Sequence, residues 1–309
     1  MEENKKTKFG KFHDNYYKLS LLISILLFIT SIVYIGYFYN QTGDFLIKDI
    51  SLTGGTSVTI PKALDPIKLT NDLQSKLDSV SIHEISDLTT GQQIGTIIQT
   101  KSDSDVTRSV LESYLGYKLT TDNSSFEFTG ASLSSSFYEQ LILAVLVAFL
   151  LMSIVIFILF RSFVPSSAVV ISAAADILMT LAVVDFLKIE MSSAGIVAFL
   201  MLIGYSVDTD ILLTNRVLKR AGNINDKIWS SFKTGITMTL TALVSVLVSL
   251  FIVKSTSIVL TQIFTVLTIG LLFDIFNTWV TNVSLLKWYV IKKEGGESRM
   301  ENPKGVHNG

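Results

Sequence analysis

Six apolar stretches, each about 20 residues or longer, fall near residues 19–39, 137–160, 164–187, 193–215, 234–253 and 257–286. A run of this length crosses a hydrocarbon core as a helix. In lipid every backbone N–H and C=O must find its partner within the segment, so such a chain can only fold as a helical membrane bundle. The first stretch is too long for a signal h-region, and no small-x-small cleavage site follows it, so it reads as a retained anchor. The composition agrees: 49% of the 309 residues are hydrophobic, 17% are charged, and the mean hydropathy is +0.50.

The spacing of the stretches is uneven. About 97 residues separate the first from the second, and the other five follow with short connections. The expected organisation is an N-terminal arm (1–18), one transmembrane helix (19–39), an extracytoplasmic domain (40–136), a five-helix transmembrane domain (137–291) and a disordered tail (292–309). Basic residues set the orientation. Lys5, Lys6, Lys8, Lys11 and Lys18 precede the first span and Arg161 follows the second. Arg216, Lys219, Arg220, Lys227 and Lys233 follow the fourth, and Lys287, Lys292 and Lys293 lie at the end. Only Lys188 and Lys254 occupy the opposite turns. Both termini are therefore expected in the cytoplasm of a multi-pass cell-membrane protein.

The 40–136 segment reads as a small α+β domain. Thr56–Ile60 alternates as a strand, and Pro66–Leu77 has helical periodicity with proline at its start. Ser81–Leu88 and Gln93–Lys101 flank a hairpin turn, Asp105–Leu115 is helical and Ser125–Thr129 is a last strand. The order βαββαβ is that of the ferredoxin-like motif. With 12 acidic and 7 basic residues the segment is mildly acidic. Gly54-Gly55 lacks the P-loop lysine and reads as a tight turn.

Several function classes drop out. A net charge of −1 gives no field for nucleic acid. There is no cysteine, and His13, His83 and His307 are scattered, so neither thiol chemistry nor a zinc site is expected. No nucleotide motif or activated nucleophile is present, so neither a cofactor nor an enzymatic activity is expected.

The chemistry-bearing residues lie in the membrane. Asp176 falls in the third span, Asp208 and Asp210 in the fourth, and Asp274 in the sixth. An intramembrane carboxylate costs about 2.5–3.5 kcal/mol on insertion scales, which marks it as an ion path or a buried pair. Asp185 and Glu190 fall at the outer end of the third span and beyond, where water accounts for them. Two residues on a helix subtend about 200°, so Asp208 and Asp210 occupy different faces. Gly204, Asp208, Ile211 and Asn215 form one stripe, and Asp210 and Thr214 another. Arg216 either reaches a carboxylate on a neighbouring helix or snorkels to the interface. Thr237, Thr241, Ser245 and Ser249 form a polar edge on the fifth span. That edge either packs closely, with hydroxyls turned back to helix carbonyls, or lines a wet groove facing the fourth span. Asp274, Asn277, Thr278 and Thr281 line one side of the sixth, and Ser172 and Ala173–Ala175 stand beside Asp176. A bundle with a hydrated interior is expected.

Gly204-Tyr-Ser-Val-Asp-Thr-Asp-Ile-Leu-Leu-Thr-Asn-Arg216 resembles the fourth-helix signature of the SecF family of protein-export membrane proteins. Asp49-Ile-Ser-Leu-Thr-Gly-Gly-Thr56 resembles the SecF segment after its first helix, and Thr234-Gly-Ile-Thr-Met-Thr-Leu-Thr-Ala242 its threonine-rich fifth helix. The resemblance runs from about residue 15 to 290. It implies an accessory subunit of the Sec machinery, related in fold to resistance-nodulation-division transporters. The implied partners are SecD, the Sec translocon channel, unfolded preprotein and membrane lipids, and the implied energy source is the proton gradient. Bacterial SecF commonly has Asn-Asp-Thr where this chain has Asp208-Thr209-Asp210, and Phe-Asp-Arg where it has Thr214-Asn215-Arg216, so the chain looks like an archaeal variant. Asp208 is the expected proton carrier, with Asp210 a structural partner and Arg216, Asp274 and Asp176 in the same intramembrane polar set. Gly204, Asn215, Thr237, Thr241 and Ser245 are expected as a helix-packing polar stripe. The competing readings are a passive scaffold for SecD and the channel, and half of a small-molecule or lipid exporter.

Overall fold

A computed structural model describes the backbone over residues 2–219 and 223–301, and side chains over 16–219 and 223–293. His13, Arg220, His307 and the lysines at 5, 6, 8 and 11 lie outside the latter set. Among the described residues, six helices are long and apolar enough to cross a membrane. The first is α1 (Glu2–Thr42), whose apolar part begins near Tyr16 and which ends at Gly43 in a positive-φ conformation. After the short α2 (Ile50–Thr53) comes a domain with β1 (Gly55–Ile60), α3 (Pro66–Leu73), β2 (Ser81–Ser86), β3 (Gln93–Thr100), α4 (Ser104–Leu115) and β4 (Ser125–Thr129). The remaining spans are α5 (Ala131–Phe160), α6 (Phe163–Phe186), α7 (Ser193–Lys219), α8 (Ile224–Val253) and a continuous run of α9 (Ile258–Phe276), a π-helical segment (Asn277–Asn282) and α10 (Val283–Glu301). Helix α10 runs to Glu301, and residues 302–309 of the expected tail lie outside the described residues. Its glycine pair at 295–296 is flanked by the helix formers Lys, Glu, Arg and Met.

The small domain follows its sequence signals. Asp65 and Asp103 accept hydrogen bonds from the first turns of α3 and α4, Pro66 opens α3, and Gly116 closes α4 in the left-handed conformation. The strands form an antiparallel sheet in the order β2-β3-β1-β4. Val58, Ile60 and Ile98 on one face of the sheet pack against Leu69, Leu73 and Leu111 from the two helices. Burying such side chains contributes about 1.5–3 kcal/mol each, enough to hold a domain of this size around one core.

The domain stands on the bundle through a main-chain clasp. Lys48 and Met191 form an isolated β-bridge. The Met191 amide donates to Ile47 O (2.7 Å), and the Asp49 amide to Met191 O (3.0 Å). The Ser193 amide, at the start of α7, donates to Ser51 Oγ (3.0 Å), and the Ser192 amide to Gln262 Oε1 on α9 (3.0 Å). Asp49 caps α2 and accepts from the Ser51 hydroxyl at 2.6 Å. Nearby, Asp44 pairs with Lys48 and accepts from Tyr138 Oη at 2.7 Å. Burial pushes the Asp44 carboxyl up, but Lys48, Tyr138 and the Phe45 amide outweigh it and hold it below the usual carboxylate range. Gly54 and Gly55 both have positive φ, and an added Cβ on Gly54 would lie 2.5 Å from Ala131 Cα. The chain can therefore enter β1 beside the start of α5 only through glycine.

Within the bundle, α6 and α7 are the most enclosed spans, while α1, α5 and α8 turn apolar side chains outward. Close approach relies on small residues. A Cβ on Gly270 of α9 would lie 2.5 Å from Leu202 Cδ2 of α7, and one on Gly235 of α8 would lie 2.5 Å from Trp279 Cζ2.

Candidate functional site

The middle of the bundle holds three carboxylates from three helices. Asp176 and Asp210 are 0% exposed and Asp274 is 1% exposed. Asp176 on α6 accepts from the Ser206 hydroxyl of α7 and from Asn277 Nδ2 at 2.7 Å. Asp274 on α9 accepts from Thr278 Oγ1 and from Thr239 Oγ1 of α8, both at 3.3 Å. Asp210 on α7 accepts from Asn282 Nδ2 at 2.7 Å through Oδ1, while its Oδ2 has no protein partner. Ser172 Oγ, Thr214 Oγ1 and Asn282 Oδ1 are likewise buried without a protein hydrogen-bond partner. Asp274 and Asp210 lie within electrostatic range of Asp176. In so enclosed a space, like charges cannot all be carried at once, so protonation and hydrogen bonding within the cluster are linked.

The π-helical segment arranges this chemistry. Its i→i+5 bonding, seen where the Val283 amide meets Thr278 O, widens the turn between Asn277 and Asn282. Asn277 then serves Asp176 and Asn282 serves Asp210. Asn277 Oδ1 in turn accepts from Thr281 at 3.0 Å. Single-turn π segments of this kind frequently occur at functional sites.

The geometry corrects the expectation about the fourth span. Asp208 and Asp210 do occupy opposite faces, but it is Asp210 that points inward. Asp208 is exposed on the outer face of α7, together with Gly204 and Asn215. The expected polar stripe of α8 is also on the outside. Thr237, Thr241 and Ser245 are exposed and donate back to the carbonyls of Lys233, Thr237 and Thr241 (2.7, 2.7 and 2.9 Å). With Tyr205 and Met238 they line a groove of about 520 Å³ on the bundle's outer surface. The interior contact of α8 is made by Thr239, which lies between two stripe members and so on the opposite side of the helix.

Arg216 reaches across to the neighbouring helix α8. Its Nη1 donates to Ser230 O (2.6 Å) and to Thr234 Oγ1 (3.0 Å), joining α7 to the first turns of α8. Asp185, which the sequence assigns to water, is 1% exposed, and neither of its oxygens has a protein partner. Lys287, one of the basic residues that set the orientation, is 1% exposed and donates to Asn225 Oδ1 at 3.0 Å. Sequence reasoning missed Ser206, Thr239 and Asn282. Ser206 and Thr239 fall within the fourth- and fifth-helix motifs without being singled out there, and Asn282, a polar residue in an apolar span five positions after Asn277, is legible only with the π turn. Among the described residues no group of acids and histidines has the arrangement of a metal site.

The family model described as "Protein export membrane protein SecD/SecF, C-terminal" matches residues 110–292. The protein-export membrane protein SecF of Methanocaldococcus jannaschii is 40% identical, with 89% of this chain and 96% of that protein covered. SecF of Pyrococcus furiosus is 35% identical over 91% of this chain and 93% of its own length. Among solved structures, the translocon-associated membrane protein SecDF from Thermus thermophilus superposes with a TM-score of 0.68 at 18% identity, over 90% of this chain. A SecDF structure in a super-membrane-facing form gives 0.59, also at 18% identity. The present chain spans 38% and 40% of those two solved chains, so this likeness is one of fold.

Proposed function

Because the chain belongs to the SecD/SecF family of protein-export membrane proteins, we propose that it is the SecF-type subunit of a translocon-associated assembly. It works beside a SecD-type partner and uses the proton gradient to help draw unfolded preproteins outward. The observation that carries this reading is the enclosed Asp176–Asp210–Asp274 cluster, whose carboxylates are held, among the described residues, by neutral hydroxyl and amide donors. Its sheet order and βαββαβ succession support reading the 55–129 domain as ferredoxin-like, and the distribution of basic residues supports placing it outside the cell with both termini in the cytoplasm.

In this reading a proton enters from the side of the α/β domain and neutralises one carboxylate of the cluster. The hydrogen bonds from Asn282, Asn277 and Ser206 then rearrange, since each is strongest to an ionised acceptor. Helix α7 bears Asp210 at mid-membrane and, at its outer end, the Ser193 amide bonded to Ser51. A shift of α7 along its axis therefore reaches the root of the domain through the clasp. The outward faces of α7 and α8, with Gly204, Asp208, Thr237 and Thr241 exposed, are where a second membrane-spanning subunit would cover the Asp208 carboxylate. The test is export of a preprotein from vesicles holding the channel, the partner and this chain, with and without an imposed proton gradient. The triple replacement of Asp176, Asp210 and Asp274 by Asn should assemble with its partner yet show no gradient stimulation. Full stimulation in that variant refutes the reading.

A further inference from the structure

The junction between the α/β domain and the bundle contains a cleft of about 650 Å³ that runs the whole length of β2, Ser81–Ser86. One wall is the strand. The other is built from the turn at Lys188–Glu190 and the turn and helix start at Lys254–Gln262. Strand β2 is at the edge of the sheet and pairs only with β3. Its last amide, Ser86 N, turns away from the sheet and donates to Ser255 O across the cleft at 2.8 Å. The irregularity between Ile85 and Ser86 skips Ile94, so the extra residue belongs to β3 and β2 keeps its alternation. The main-chain groups of Glu84 and Ile82 therefore face the cleft with Ser86, and among the described residues no main-chain hydrogen bond reaches them from that side. The strand is about 20 Å long, and with the Ser86 amide taken by Ser255 the stretch around Ile82–Glu84 is the edge that a further strand would meet.

We infer that this cleft is a seat for an extended stretch of unfolded polypeptide, which adds to β2 as a further strand. The single bond already made by Ser255 shows that the edge takes a main-chain partner from that side. A row of alternating N–H and C=O groups is matched along its length only by another extended main chain, and such pairing reads no sequence. The side chains around it are of mixed sign, Lys188 and Lys254 against Glu84 and Glu190, so the cleft selects neither acidic nor basic segments. The other sheet edge is β4, where Ser125, Glu127 and Phe128 are exposed. The cleft also lies beside the clasp: Glu190 in its wall adjoins Met191, so an occupant touches the segment that ties the domain to α7. This proposal rests on the preceding reading in taking the occupant to be a polypeptide in export.

The test places a photo-crosslinking amino acid singly at Glu84, at Thr256 on the opposite wall, or at Glu127 on β4 as a control. The full chain is used in membranes with its partner and channel, during export of a radiolabelled, arrested precursor. Crosslinks to the precursor are expected from 84 and 256 and not from 127. Glu84→Pro removes one outward N–H while leaving the bonds to β3, and with the probe at 256 it should lower precursor crosslinking about tenfold, whereas Glu84→Ala should not. Crosslinks of constant mass without precursor, no crosslinks from either wall, or equal yields for the Pro and Ala variants would overturn the proposal. Gradient stimulation is scored separately. If it depends on Asp210 while the cleft stays empty of precursor, the cleft proposal alone fails. Precursor in the cleft without gradient stimulation removes only the proton reading.

Discussion

Replacing Asp210 by asparagine isolates the charge from the fold. The new side chain has the same shape, and its amide oxygen can still accept from Asn282 Nδ2, so the 2.7 Å contact and the packing around it are kept. What is lost is the ability to take up and release a proton. Asp210 lies 17 residues into the 27-residue α7, about 26 Å along the axis and about six-tenths of the helix from its domain-side end. A unit charge crossing the whole membrane gains about 2.3 kcal/mol per 100 mV, so a proton reaching Asp210 from that side gains about 1.4 kcal/mol. That is roughly a tenfold bias on a two-state element for each 100 mV. In vesicles energised to 100 mV, the parent chain should show export stimulated by up to about tenfold, and Asp210→Asn should show none, with the partner complex recovered in equal yield. Stimulation that survives in Asp210→Asn and scales with voltage as in the parent would refute both the assignment of the interior acid and the depth argument.

The other perturbations separate interior from surface. Asp208→Asn, on the outer face, should leave voltage-dependent stimulation within about twofold of the parent, because it removes no group of the enclosed cluster. A Cβ added at Gly204 would meet no neighbouring atom within 4 Å in this chain, so thermal unfolding of Gly204→Ala should be unchanged, and the bulkier Gly204→Trp should lower co-purification of the membrane partner. Gly235→Val drives a side chain into Trp279 and Thr209 and should cost about 1–3 kcal/mol in a detergent unfolding titration. Glu190 sits outside the spans, where burial first and the nearby Asp49 second raise its carboxyl above the ordinary glutamate value, against the lowering effects of Ser81 and Lys101. An acid whose folded value is raised loses stability as pH climbs from its unfolded value through its folded one. Glu190→Gln should therefore raise the unfolding midpoint at pH 7 and leave it unchanged near pH 4; an equal shift at both would show that charge burial is not the cause.

The layout of the molecule was legible because it rests on one-dimensional signals. Span length, the 97-residue gap between the first two spans, the Asp-Pro start of α3 and the alternation in Thr56–Ile60 are local demands that lipid or backbone geometry enforces wherever they occur. The opposition of Asp208 and Asp210 was equally legible, since 100° per residue admits no other result. Periodicity also grouped Asn277, Thr278 and Thr281 with Asp274, but it could not show that a π turn would bring Asn282 to Asp210.

What the sequence could not state is which face of an amphiphilic span is the inside. In a soluble helix the polar face is outside by default. In a membrane helix either polar face can be turned inward, because a second subunit can satisfy the one left outside. Residue order and helical periodicity require that α7 carries two acids on two faces, that α8 carries a hydroxyl stripe, and that a small sheet domain interrupts the spans. Only the packing of α6, α7, α8 and α9 decided that Asp210 and Thr239 face the carboxylate cluster while Asp208 and Thr241 face outward. That choice is set by close contacts such as Gly270 against Leu202 and Gly235 against Trp279, which join residues far apart in the chain and fix the rotation of each helix about its own axis.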